Sequence, residues 1–176
     1  MGARLRVAGI QRYGGYLLAE CGIYASARQA WKGVEAMAHA IEGTTSATAV
    51  VDDYDAIRRV AQLCTEGEAT GDGAKLREAF HVDARMFGSL AGTRYDVPIE
   101  ELFKLAESAP ADTGSYRSRV LSVQQTGDAA VAVVAEEGYW GSVSFIDYLL
   151  LARIDGNWKI VCKLFAHTGG EPPEGV

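Results

Sequence analysis

The last third of the chain constrains its fold most. From Ser115 to Thr168 it reads as four strands joined by short turns: SYRSRVLSVQQ, AAVAVVAEE, SVSFIDYLLLARI and WKIVCKLFAHT. Thr126-Gly127-Asp128 and Asp155-Gly156-Asn157 are hairpin signals, because glycine takes a positive φ there at little cost. Gly138-Tyr139-Trp140-Gly141 supplies the middle turn. The third strand carries one acid, Asp147, in an otherwise apolar run. A carboxylate on a strand face of Leu and Phe must be paired, protonated or wetted.

Upstream the pattern is helical. Asp52 or Asp53 can cap a helix that runs to about Thr70, with Ile57, Val60, Ala61 and Cys64 as its buried stripe and Arg58, Arg59, Glu66 and Glu68 on its wet side. Gly71-Asp72-Gly73 ends it. Ala74 to Phe80 forms a short second helix, His81-Val82-Asp83 a turn, and Ala84 to Ala91 a first strand followed by a Gly92-Thr93-Arg94 turn. Pro98 starts a third helix at a tolerated first-turn position, with Glu100 and Glu101 favourable to its dipole. The order is helix, helix, strand, helix, then four strands. Helices segregated against one antiparallel sheet give an α+β layer. The expected architecture is a cone: a curved antiparallel sheet wrapped on a long helix, with a mouth suited to a small molecule.

Composition narrows the function. A chain of 176 residues, 48% hydrophobic, suits one domain that buries roughly 70% of its unfolded surface. The net charge of -6 argues against nucleic acid as partner, since phosphate binding needs a basic face. No apolar run is long enough to span a bilayer. Cys21, Cys64 and Cys162 form neither a metal motif nor a disulfide framework, which favours a reducing cytoplasm. His39, His81 and His167 lack metal-ligand spacing, and neither a metal nor a cofactor is expected. Residues 1–50 read as an extension, with a helix over 25–41 and a Gly43–Ser46 linker. Residues 51–169 form the main domain and 170–176 a flexible tail.

The stretch from Tyr54 to Thr168 resembles the nuclear transport factor 2-like superfamily, which includes ketosteroid isomerase and the SnoaL-like cyclases. The residues that carry the resemblance are Thr70-Gly71-Asp72 at the helix end, Phe80-His81-Val82-Asp83-Ala84 into the first strand, Ser144-Phe145-Ile146-Asp147-Tyr148, and Gly156-Asn157-Trp158-Lys159-Ile160-Val161. The last two look most like its lumazine-binding subgroup. The resemblance implies the cone fold, pairing of two copies through their sheets, and a place for Asp147 where the isomerase has its oxyanion-binding aspartic acid. The isomerase tyrosine falls at Cys64, and its base near Gly88 or Ser89. A thiol is a weak donor and Gly or Ser is no base, so isomerase chemistry by that route is not expected.

Side chains alternate along strands, so Asp147 shares a face with Phe145, Leu149 and Leu151. Val161, Lys163, Phe165 and His167 share one on the last strand. A three-residue Asp155-Gly156-Asn157 loop sets Asp147 opposite Phe165, with Lys163 and His167 as diagonal neighbours about 7–8 Å away. Asp147, Lys163 and His167 are the candidate catalytic cluster. Cys64, Met86, Phe145, Leu149, Val161 and Phe165 are expected to line the pocket beneath a Tyr139-Trp140 lip. His81 and Asp83 read as turn residues, and Glu136-Glu137 as solvated. Ile146, Leu150 and Ile160 should form an outer apolar face and make the protein a homodimer. The functional expectation is a protein that binds a planar, mostly apolar molecule with one or two polar oxygens. Its alternatives are a dehydratase, cyclase or isomerase using the same pocket, and a protein-interaction module.

Overall fold

The computed structural model describes residues 47–173. The expected helix over 25–41 and its linker lie outside these residues, as does the end of the tail. The described part forms one compact unit. It runs α1 (Ala47–Thr70), α2 (Gly73–Ala79), β1 (Phe80–Leu90), β2 (Thr93–Pro98), α3 (Glu100–Ser108), β3 (Asp112–Thr126), β4 (Ala129–Tyr139), β5 (Val143–Ile154) and β6 (Asn157–Gly169).

α1 begins about a turn before Asp52 and Asp53, so neither caps it. Asp53 turns inward instead. Its carboxylate accepts hydrogen bonds from Gln125 Nε2 at 3.0 Å and Trp158 Nε1 at 3.3 Å, and pairs with Arg153. The Arg153 guanidinium lies over the Trp158 ring at 4.8 Å. This buried, fully partnered acid ties the start of α1 to β3, β5 and β6. α2 is capped by Asp72, whose Oδ1 accepts from the backbone N–H of Ala74 and Lys75.

Two elements differ from the sequence pattern. His81-Val82-Asp83 is not a turn; β1 already starts at Phe80, and these residues sit where its pairing with β6 shifts between Phe80 and Arg85. β2 is an additional strand. Ala91 and Gly92, both at positive φ, make a tight two-residue turn, and Thr93–Pro98 returns antiparallel along β1. Pro98 closes this strand rather than opening α3. β2 is the sheet edge, where a missing N–H is tolerated.

The sheet is curved and unclosed, in the order β2-β1-β6-β5-β4-β3. β1 and β2 pair antiparallel, as do β3 through β6 in succession, whereas β1 runs parallel to β6, so the sheet is mixed rather than antiparallel throughout, with β2 and β3 at its two edges. α1, α2 and α3 cover the concave face. Ile57, Ala61, Leu76, Leu102, Phe103, Val134, Leu149 and Ile160 form the core between them. A fully buried Leu or Ile of this kind contributes roughly 1.5–3 kcal/mol.

The β5–β6 hairpin turns in two residues, Asp155 and Gly156, both at positive φ, and pairs Ile154 with Asn157. That is one residue tighter than the expected loop. A bulge then restores the offset: Leu151 pairs with Ile160 but Leu150 with Cys162, so Val161 is left over. Asp147 still faces Phe165 as expected. The bulge also decides the faces. Trp158 and Ile160 point inward before it, Lys163 and Phe165 after it. Ile160 is therefore core, not outer surface.

Candidate functional site

Four charged side chains from four elements meet inside the cone: Glu68 from α1, Glu136 from β4, Asp147 from β5 and Lys163 from β6. Each placement follows from local periodicity. Ile57, Ala61, Cys64 and Glu68 recur at i, i+4, i+7 and i+11, so Glu68 continues the buried stripe. Ala132, Val134 and Glu136 alternate inward along β4, and Val134 pairs with Asp147. Leu149 pairs with Lys163 across β5 and β6. All four charged residues are at most 4% exposed.

Lys163 Nζ sits at the centre. It donates to Glu68 Oε1 at 2.7 Å, to Glu136 Oε1 at 3.4 Å and to Asp147 Oδ2. Around it, the Cys64 thiol donates to Glu68 Oε1 at 3.4 Å and the Tyr116 hydroxyl to Glu136 Oε2 at 2.7 Å. Two carboxyl oxygens, Glu68 Oε2 and Asp147 Oδ1, are buried with no hydrogen-bond partner.

One ammonium cannot balance three carboxylates in a dry site, so protons are retained. Burial, and then the charge of Glu136, push Glu68 up to about 7 despite Lys163. Burial pushes Asp147 well above the carboxylate range; Lys163 opposes this, and Glu136 and Glu68 add to it. Burial would also raise Glu136, but Lys163 and the hydrogen bonds from Asp147 and Tyr116 hold it below its ordinary value. Burial weakens the Lys163 ammonium, yet its three acidic neighbours outweigh that and keep it protonated. Glu136 and Lys163 thus form the charged pair, burial biases Asp147 toward its neutral form, and Glu68 is poised near neutrality.

A narrow cavity of about 40 Å³ opens directly above this cluster. Glu68, Asp147 and Lys163 form its floor. Its walls are apolar and aromatic: Met86, Leu90, Leu102 and Leu105 with the rings of Tyr95, Tyr139, Trp140, Phe145 and Phe165. The rings lock edge to face, Tyr139 on Phe145 at 5.3 Å and Phe145 on Phe165 at 5.6 Å. Trp140 donates Nε1–H to Ala109 O at 2.9 Å, which anchors the β4–β5 turn over α3. The Phe165 ring lies on Gly88, where an added Cβ would fall 2.5 Å from it. The space beside Gly88 is thus occupied by a neighbouring ring.

Of the expected residues, Asp147, Lys163, Met86, Tyr139, Trp140, Phe145 and Phe165 come together at this cavity. Cys64 and Leu149 are fully buried beside it but do not line it. Val161, at the bulge, stands away from it. His167 shares a face with Phe145, but its Nε2 lies 2.9 Å from the carbonyls of Gly169 and Gly170 and makes no bond to the cluster. Glu68 and Glu136 were expected in solvent and are instead part of the floor; the stripe on α1 and the alternation on β4 were the signals. The three acids offer oxygens within 4.8 Å of one another, a spacing that would suit a cation, and Lys163 supplies one.

Comparison with known proteins agrees with the fold. Residues 52–166 match the family described as "Putative lumazine-binding". FrzH, an aldolase of Cladobotryum sp, is 26% identical over 113 residues, covering 64% of this chain and 90% of that protein. A solved nuclear transport factor 2-like protein of unknown function from Methylobacillus flagellatus is 33% identical, with a TM-score of 0.62 over 67% of this chain and 94% of that one. Another from Shewanella baltica, at 25% identity, gives a TM-score of 0.63 over 73% of this chain and 100% of that one. The chain belongs to that family, described as "Putative lumazine-binding", within the nuclear transport factor 2-like superfamily.

Proposed function

We propose that the protein binds a small organic molecule in the cone, with its apolar body among the rings and its polar end on the Glu68–Asp147–Lys163 floor. The observation that carries this reading is the pair of buried carboxyl oxygens left without partners beside an apolar cavity. An unmade bond there costs about 1–3 kcal/mol, which a ligand would recover. A thermal-shift screen of flavin-like, steroid-like and polyketide-like compounds tests it. A binder at a hundredfold excess over Kd stabilises by about 2.7 kcal/mol. The shift should disappear in a Phe165→Leu, Asp147→Asn double variant. A shift that survives both changes, or no hit in the wild type, removes the reading.

The aldolase relative favours a second reading, acid–base catalysis on a carbonyl compound in the same cavity, within the dehydratase, cyclase and isomerase range of chemistries. Glu68, titrating near 7, is suited to move a proton at neutral pH. Lys163 stays protonated among three acids, so it supplies charge rather than a Schiff-base nucleophile. Borohydride in the presence of an aldehyde should leave Lys163 unlabelled. A trapped adduct on Lys163 would overturn this assignment of roles.

The same reading holds the protein to be a cytoplasmic homodimer. Support comes from the free thiols Cys64 and Cys162 and from the exposed apolar side chains of Tyr148, Leu150 and Leu164 on the outer sheet face. No described helix is long and apolar enough to cross a membrane.

A further inference from the structure

The floor of the cavity has spent all its fixed donors. An ammonium has three N–H bonds, and those of Lys163 go to Glu68, Glu136 and Asp147. The Tyr116 hydroxyl goes to Glu136 and the Cys64 thiol to Glu68. What is left over is carboxyl oxygen: Glu68 Oε2 and Asp147 Oδ1, each on a side chain at most 1% exposed. A ligand whose polar end is an oxygen acceptor would meet no unspent donor on this floor except a proton carried by an acid, and would have to turn to the Tyr95 and Tyr139 hydroxyls of the wall. A ligand that brings N–H groups would find two acceptors waiting. Charge points the same way, since Glu136 already balances Lys163 and any ionisation of Glu68 leaves the floor negative. The wall does too, because the rings of Tyr139, Trp140, Phe145 and Phe165 are an environment in which cations are stabilised.

We propose that the polar end of the ligand is a nitrogen cation, a protonated primary or secondary amine, seated against Glu68 Oε2 and Asp147 Oδ1. This rests on the reading of the cavity as a ligand site and replaces the oxygen-bearing polar end expected from sequence. Seating the cation drives a proton off the cluster. The titratable groups that line the cavity are Glu68 from α1, Tyr95 from β2, Tyr139 from β4, Asp147 from β5 and Lys163 from β6, with Cys64 from α1, Tyr116 from β3 and Glu136 from β4 packed behind them. Of these, the acids that hold a proton near neutrality are Glu68 and Asp147. The ligand stays charged throughout, and the free site must lose a proton to receive it. Affinity therefore rises with pH up to the point at which the free site is already ionised.

Matched probes test this on the full chain: benzylamine, benzyl alcohol and benzoate, by titration calorimetry in two buffers of different ionisation enthalpy. Benzylamine should bind about tenfold or more tighter than benzyl alcohol, a 1.4 kcal/mol preference. Its binding should release up to about one proton and strengthen from about pH 6 to about pH 8. Benzoate should not bind. Glu68→Gln should cut the benzylamine affinity about tenfold and that of benzyl alcohol far less. Benzyl alcohol binding as tightly as benzylamine, or benzylamine binding with no proton released, overturns the cation and leaves the pocket standing. Failure of all three probes at millimolar concentration overturns both. The proton count is read on the wild type, so the test does not depend on the variant folding.

Discussion

Glu68 gives the cluster a measurable signature at the residue scale. Its carboxyl is raised from 4.5 to about 7, chiefly by burial. Between those values the folded chain holds a proton that the unfolded chain has released. Native protons then exceed unfolded ones, so stability falls as pH rises through this window, by on the order of a few kcal/mol. Asp147, shifted the same way, adds to the slope. Melting temperatures between about pH 4.5 and about pH 7 should decline in the wild type and decline less in Glu68→Gln. An identical slope in both would mean that Glu68 is not the group concerned.

Lys163 and Asp147 should prove unequal. Lys163→Met leaves three buried acids without a cation and should cost on the order of 3–5 kcal/mol in denaturant unfolding. Asp147→Asn replaces an acid whose neutral form burial already favours, so it should cost under about 1 kcal/mol. The double change should recover little, because Glu68 and Glu136 remain. Sequence alone placed Lys163 as a diagonal neighbour of Asp147. It hid the other two acids because an acid at the end of a helical stripe, or in a Glu-Glu pair, is by default assigned to solvent. Only the packing of α1 over β4 shows that both point inward.

At the scale of elements, β1 and β6 are fitted to each other through Gly88. Its missing Cβ admits the Phe165 ring, and Gly88→Ala would push a methyl group to 2.5 Å from that ring. Overpacking of this kind costs about 1–3 kcal/mol. Gly88→Ala should lower the melting temperature, and adding Phe165→Leu should restore much of the loss; no recovery in the double variant would place the strain elsewhere. The strands of the last third were legible because alternation and Gly-containing turns coincide there. β2 was not, since six residues ending in proline look like the approach to a helix. The bulge at Val161 was invisible for another reason. A one-residue offset in the turn and a one-residue bulge cancel, so the register at Asp147 comes out right while the face of Ile160 comes out wrong.

At the scale of the whole molecule, the described unit begins where α1 does. A chain starting at Thr44 should fold cooperatively with a nearly unchanged melting temperature. A fall above about 8 °C would show that the preceding residues belong to the core. Sedimentation of the full chain at micromolar concentration should give a species of twice 18.8 kDa, and a monomer alone would remove the proposed dimer. The α+β cone could be read from element order, because segregated helices and a strand meander have few ways to bury their apolar faces. The ligand could not, because the floor is assembled from residues up to 95 positions apart.

The central claim is that one buried site holds three carboxyl groups around one ammonium and keeps protons at neutral pH. Carbon-13 NMR of the side-chain carboxyls, followed through an acid-to-neutral titration, tests it without any ligand. The account predicts that Glu68 titrates near 7, that Asp147 remains protonated above the ordinary carboxylate range, and that Glu136 ionises below its usual value. Three independent titrations at ordinary carboxylate values would contradict it, for they would mean that these acids stand in water and that the cone has no such floor.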